Sequence, residues 1–110
     1  MARALVTMPA NAKRGEVIEI RTLVAHPMET GYRPGDDGAI QPRNLIRRLT
    51  CRYADGRDEV EVFSAELFPA IAANPYISFF TVATASGVLH FTWQGDNGFA
   101  QTESVTLTVT

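Results

Sequence analysis

The sequence predicts an all-β fold, an antiparallel sandwich of about seven strands, and three features of the chain support that reading. Apolar and polar residues alternate with a two-residue period in short segments. Pro, Gly, Asp and Asn interrupt those segments at the spacing of roughly 8–12 residues expected of sandwiches and barrels. Outside Phe68 to Pro75, no stretch carries an apolar period of 3.6 residues over helical length. With 110 residues, the chain is long enough for one core and short for two, so a single domain over residues 1–110 is expected.

The elements follow in order. Ala4 to Met8 forms a first strand closed by Pro9, and Asn11 to Gly15 makes a polar link. In the second strand Ile18, Ile20, Thr22 and Val24 alternate with Glu19, Arg21 and Leu23, which predicts that the first set packs inward. A loop from Ala25 to Pro42 is followed by a third strand, Leu45 to Tyr53. There Leu45, Leu49, Cys51 and Tyr53 share one face, and Arg48, Thr50 and Arg52 share the other. Asp55-Gly56 turns the chain into Val60 to Leu67, with Phe63, Ala65 and Leu67 inward. Two prolines in Phe68 to Pro75 break any ladder, so this segment reads as a crossover between sheets with room for one helical turn. Tyr76 to Thr84 and Val88 to Gln94, joined at Ser86-Gly87, read as a hairpin. Gly95 to Gly98 makes the last turn, and Ser104 to Thr110 closes the fold with Val105, Leu107 and Val109 on its dry face. This pattern fits an immunoglobulin-like sandwich without the paired cysteines of antibody domains.

Composition restricts the function. Hydrophobic residues make up 45% and charged residues 20% of the chain, the balance of a folded domain rather than a disordered one. Ten basic and twelve acidic residues give a net charge of −2, so the counterion release that drives nucleic-acid binding has no broad positive field behind it. No apolar run reaches the roughly 20 residues of a membrane helix. Met1 to Pro9 lacks the apolar core of about 7–15 residues found in secretory signals, so the residues by themselves predict a soluble cytoplasmic protein.

Gly15 to Pro34 ends an alternating strand in a loop dense with His, Met, Glu, Tyr and Arg, which reads as a recognition surface. His26, Met28, Tyr32 and Arg33 are its candidate contacts, because Tyr and Arg dominate interface hot spots. His26-Pro27-Met28 together with Met8 resembles the soft ligand sets of copper(I), which makes a periplasmic copper-binding sandwich the alternative reading. That reading is opposed by the need for three or four convergent ligands. No metal or other cofactor is expected. His90 lies on the face opposite Leu89 and Phe91, where a solvated or interface role is expected. Cys51 is either a buried thiol or half of a disulfide to another chain. Arg43, Arg47, Arg48 and Arg52 form either a solvated stripe or a surface for an acidic partner. Asp36-Asp37 before Gly38 is explained by turn formation. Nothing sets a nucleophile beside a base, so catalysis is not expected.

The stretches VTMPANAKRGEVIEIRTLVAHPMETGYR, PRNLIRRLTCRY, FPAIAANPYISF and FTWQGDNG, in that order and over nearly the whole chain, resemble the SoxZ family. SoxZ is the small subunit of the SoxYZ sulfur carrier complex of thiosulfate oxidation. The resemblance implies a non-catalytic partner of SoxY, whose C-terminal arm carries the sulfur-bearing cysteine, with transient contacts to other Sox enzymes. It also implies a periplasmic location, reached by export together with a signal-bearing SoxY. Cys51 falls at the family's TC pattern, which implies a structural thiol or a bond to the partner rather than a carrier role. For the SoxY contact, the expected surfaces are the exposed faces of Leu45 to Tyr53 and Tyr76 to Val82, with Ile46, Arg48 and Tyr76 as candidates.

Overall fold

The computed structural model describes residues 4–32, 34–68 and 73–110. Eight strands are present among them: β1 (Ala4–Thr7), β2 (Asn11–Ala12), β3 (Val17–Val24), β4 (Ile46–Ala54), β5 (Glu59–Glu66), β6 (Tyr76–Val82), β7 (Gly87–Gly95) and β8 (Ala100–Val109). They form a three-stranded sheet in the order β1-β3-β6 and a five-stranded sheet in the order β2-β8-β7-β4-β5. All pairings are antiparallel except the short parallel match of β2 with β8. This is an immunoglobulin-like sandwich, as the alternation predicts.

The core lies between the sheets. Ile18, Ile20 and Val24 of β3 face Leu49 and Cys51 of β4, Leu89, Phe91 and Trp93 of β7, and Leu107 of β8, all fully or almost fully buried. Phe63 of β5 stacks on Phe79 of β6 with centroids 4.1 Å apart, closing the core on its β5/β6 side. Thr22 belongs to this inward row, and its hydroxyl donates to the Ile77 carbonyl at 2.8 Å, which satisfies the one hydroxyl that β3 buries.

Two sequence expectations change. β6 and β7 do not form a hairpin: β6 pairs with β3, β7 pairs with β4 and β8, and the chain passes between sheets at 83–86. The Tyr53 hydroxyl pins that crossing by donating to the Ala85 carbonyl, and it accepts from the Ala85 N–H at 3.3 Å. Ile46, expected on an outer face, is 0% exposed. A register shift between Ile46 and Arg48 against β7 breaks the two-residue alternation, so Ile46 turns into the core beside Leu45. A second shift on β5 inserts Val62 between the partners of Cys51 and Arg52. The crossover from Phe68 to Pro75 does join one sheet to the other, although residues 69–72, where a helical turn was expected, lie outside the described residues.

The segment between β3 and β4 is a long arm. It is zipped by antiparallel bridges at Glu29 with Asn44 and at Pro34 with Ile40, and its tip is a turn in which Gly38 N–H donates to Gly35 O at 2.9 Å. A ten-residue strand such as β8 spans about 33 Å, whereas the molecule measures 57 × 21 × 21 Å, so the arm continues the long axis past the sandwich. No helix of the described residues is long and apolar enough to cross a membrane.

Candidate interaction surfaces

The seven residues singled out for partner contact do not make one surface. His26, Met28 and Ile46 come together, but as the root of the arm. Met28 N–H donates to His26 Nδ1 at 3.0 Å, and Ile46 N–H donates to Met28 Sδ at 3.2 Å. Met28 holds a left-handed backbone, φ 51°, that residues other than glycine rarely adopt, and these two bonds fix it there. His26 and Met28 are each only 5% exposed. Burial of the imidazole lowers the His26 pKa, more than neighbouring Asn44 and Asp96 raise it. A buried ring accepting at Nδ1 is the neutral form. Two donor atoms of the copper reading, His26 Nδ1 and Met28 Sδ, are thus engaged by backbone N–H groups, and among the described residues no group of three or more His, Cys, Asp or Glu is placed to hold a metal.

Asp96 fastens the other side of the arm. Its carboxylate accepts from Leu45 N–H at 3.1 Å and lies 3.1 Å from Arg43 Nε and 3.5 Å from Arg47 Nη1. Desolvation opposes its ionisation, yet the Leu45 N–H and the two guanidiniums outweigh it and hold the Asp96 carboxyl below the usual range. The turn needs its glycines: a Cβ at Gly95 would collide with the Leu45 carbonyl oxygen, and Gly98 sits at φ 72°. Arg52 pairs with Glu59 and Glu61. Three of the four arginines read as a stripe are therefore answered within the chain, and half-buried Arg48 lies opposite Gln94 and Glu66 on the outer face of the five-stranded sheet.

Tyr32 stands on the arm 81% exposed, with its N–H bonded to Thr30 Oγ1 at 3.2 Å; Arg33 lies outside the described residues. Asp37 Oδ1 accepts from Ala39 N–H at 3.0 Å, the local turn bond expected of it. His90 meets Ser104 across the β7–β8 ladder, Nδ1 to Oγ 2.9 Å, on the outer sheet face. Cys51 is a free thiol with no exposed surface, and burial pushes it up to about 12. In that position it is neither a thiolate nucleophile nor within reach of a second chain unless the sandwich opens.

Tyr76 belongs to a different and larger feature, most of which the residue pattern did not single out. Across the outer face of the three-stranded sheet, Leu5, Leu23 and Tyr76 lie in one cross-strand row and Val17 and Val82 in another. Phe80, 64% exposed, sits beside Glu19 between those rows. Leu5, Val17, Tyr76 and Val82 are also exposed, and Leu23, the least open of the six, is 39% exposed. An apolar depression of about 460 Å³ opens beside Leu5 and Leu23, bordered by Ala4, Ala25 and Asn74. Single exposed apolar residues are ordinary, but six on one sheet face, in rows parted by the Glu19–Arg21 ion pair, mark a candidate interaction site. The available signal was Leu23 and Val17 on the otherwise charged side of β3, and apolar residues on both faces of Tyr76 to Val82.

Several solved structures share this architecture. Superoxide reductase (neelaredoxin) from Ignicoccus hospitalis superposes with a TM-score of 0.78 at 19% identity, covering 97% of this chain and 80% of that one. A putative superoxide reductase from Thermotoga maritima gives 0.74 at 17% identity, over 97% of this chain and 85% of that one. The sulfur carrier protein SoxY from Chlorobium limicola gives 0.65 at 13% identity, over 96% of this chain and 74% of that one. At such identities the likeness establishes the fold alone. No curated protein matches the chain. The family described as sulphur oxidation protein SoxZ matches it over residues 6–106, nearly its whole length, and the chain belongs to that family.

Proposed function

We propose that this chain is the non-catalytic subunit of a sulfur carrier, binding SoxY and helping to present it to the other enzymes of thiosulfate oxidation. The observation that carries the reading is the apolar outer face of the β1-β3-β6 sheet, whose exposed Leu5, Leu23, Tyr76, Phe80 and Val82 ask for a covering protein. SoxZ family membership favours SoxY as that protein. The arm beyond its buried root, where Tyr32 is exposed, is the surface offered to the other Sox enzymes. The work site is the periplasm, reached by export with SoxY already bound.

The test is the affinity of purified chain for SoxY after placing a charge on the face. Leu23→Asp or Phe80→Asp is expected to weaken binding by more than about 1 kcal/mol, the threshold of a contributing interface residue. Arg57→Asp, on the exposed β4–β5 turn, is expected to leave it unchanged. Equal affinities for all three variants would remove this face from the interface.

A further inference from the structure

Both sheets end in open edges, and the edges are not alike. Three of them carry the protections that keep natural sheets from pairing with strangers. β1 and β2 are short, at four and two residues, and β5 carries Glu59, Glu61 and Glu66. The fourth edge, β6, runs seven residues, YISFFTV, with no charge and no proline.

The backbone of β6 is half used. Ala83 N–H donates to Glu16 O and Ala83 O accepts from Gly15 N–H, both at 2.8 Å, while Val24 N–H donates to Pro75 O at 3.3 Å. In the β3–β6 register these bonds direct the polar groups of residues 75, 77, 79, 81 and 83 toward β3. The N–H and C=O groups of Tyr76, Ser78, Phe80 and Val82 therefore point to the open side, and no hydrogen bond among the described residues engages them. Beside this edge a largely apolar groove of about 400 Å³ runs between β6 and β5, lined by Val60, Val62, Thr81 and Val82 together with Asp55 and Asp58 of the β4–β5 turn.

A row of alternating donors and acceptors along an uncharged strand, with an apolar groove at its flank, is complementary to one kind of object, the backbone of another extended strand. We infer that a strand of the SoxY sandwich adds to the free edge of β6, so that the β1-β3-β6 sheet continues into the partner as one sheet. This rests on the proposed pairing with SoxY and specifies its geometry. A partner of the same fold brings sheet edges of its own.

The test is residue-resolved amide exchange of the chain, alone and in complex with purified SoxY. The free chain is expected to protect Ile77, Phe79 and Thr81 and to leave Tyr76, Ser78, Phe80 and Val82 fast. In the complex those four amides slow by about tenfold or more, the mark of new ladder bonds. Ser78→Pro, which deletes one outward donor at an edge position that tolerates proline, is expected to weaken SoxY binding at least tenfold, while Ser78→Ala binds as wild type. A complex that forms and is broken by Leu23→Asp, but leaves the four amides fast, overturns the strand addition and keeps the proposed partner. Failure of any complex to form overturns both. Protection that grows with the concentration of the chain alone assigns the edge to a second copy and also overturns the inference.

Discussion

His26 carries two lessons at the scale of the residue. A histidine in a loop beside a proline reads as surface, because loops run over the surface and carry function. Here the loop is the base of an arm that must be held to the sandwich, and the imidazole, buried among Asn44 and Phe99, is the acceptor that holds it. Its lowered pKa has a definite consequence. The unfolded chain takes up the proton at the ordinary value of about 6.5, whereas the folded chain resists it. Stability is therefore complete above that value and is lost as pH falls through it toward the lowered folded value, below which this group contributes no further loss. The urea midpoint is expected to fall between pH 7.5 and pH 5.5, with a shallower fall in His26→Asn, whose amide oxygen keeps an acceptor near the Nδ1 position. A midpoint that stays level over this range in the wild type would mean that the imidazole is not held neutral. Asp96 works in a lower window: its carboxyl is held down, so its contribution persists until the pH drops below the ordinary carboxylate value of about 3.9. The Asp96 partnership leaves no trace in residue spacing, since Asp96 meets Arg43 and Leu45 about fifty positions away along the chain.

Among the elements, those with clean alternation were legible and those whose pairing depends on the rest of the molecule were not. β3, β7 and β8 show their inward rows directly in the sequence, down to buried Thr22. The supposed hairpin of β6 and β7 failed because proximity in sequence and a Ser-Gly turn are weaker than the demand of each sheet for its own core face. Gly87 starts β7 where a Cβ would strike the Ala54 carbonyl of β4, so the turn glycine serves a close approach to the neighbouring strand of its own sheet. Ile46 was misplaced because a bulge is one extra residue, and alternation cannot announce where it falls. The two-residue β2 is too short to carry a period at all. Replacement of Trp93, buried at the centre of β7, by alanine is expected to cost about 3–5 kcal/mol in urea unfolding of the isolated chain. Phe80→Ala, of the same aromatic class but on the outer face, is expected to change the stability of that chain by no more than about 0.5 kcal/mol. Equal losses at the two positions would mean that the outer face is not free.

At the scale of the whole molecule, the sandwich places most of its paired charges on the five-stranded sheet, and leaves its smaller sheet, apart from the Glu19–Arg21 pair, largely apolar outside and open at one edge. The balanced charge and the lack of catalytic spacing pointed from the start to recognition, and the ordered resemblance of whole stretches named the family that the match over residues 6–106 establishes. The position of the apolar face was only partly legible. Tyr76 to Val82 was one of the faces named, but the long His-Met-rich loop drew attention to residues that the arm buries. A patch made of Leu5, Leu23 and Tyr76 is contributed by three strands far apart in sequence and becomes visible only once they are registered. The most direct test of the central claim is native mass spectrometry of this chain coexpressed with SoxY, with and without reductant. The account predicts a one-to-one complex whose mass and abundance are the same in both conditions, because Cys51 is enclosed in the core and the two chains are held by packing and strand contacts. Recovery of this chain alone, with no SoxY bound in either condition, would contradict it.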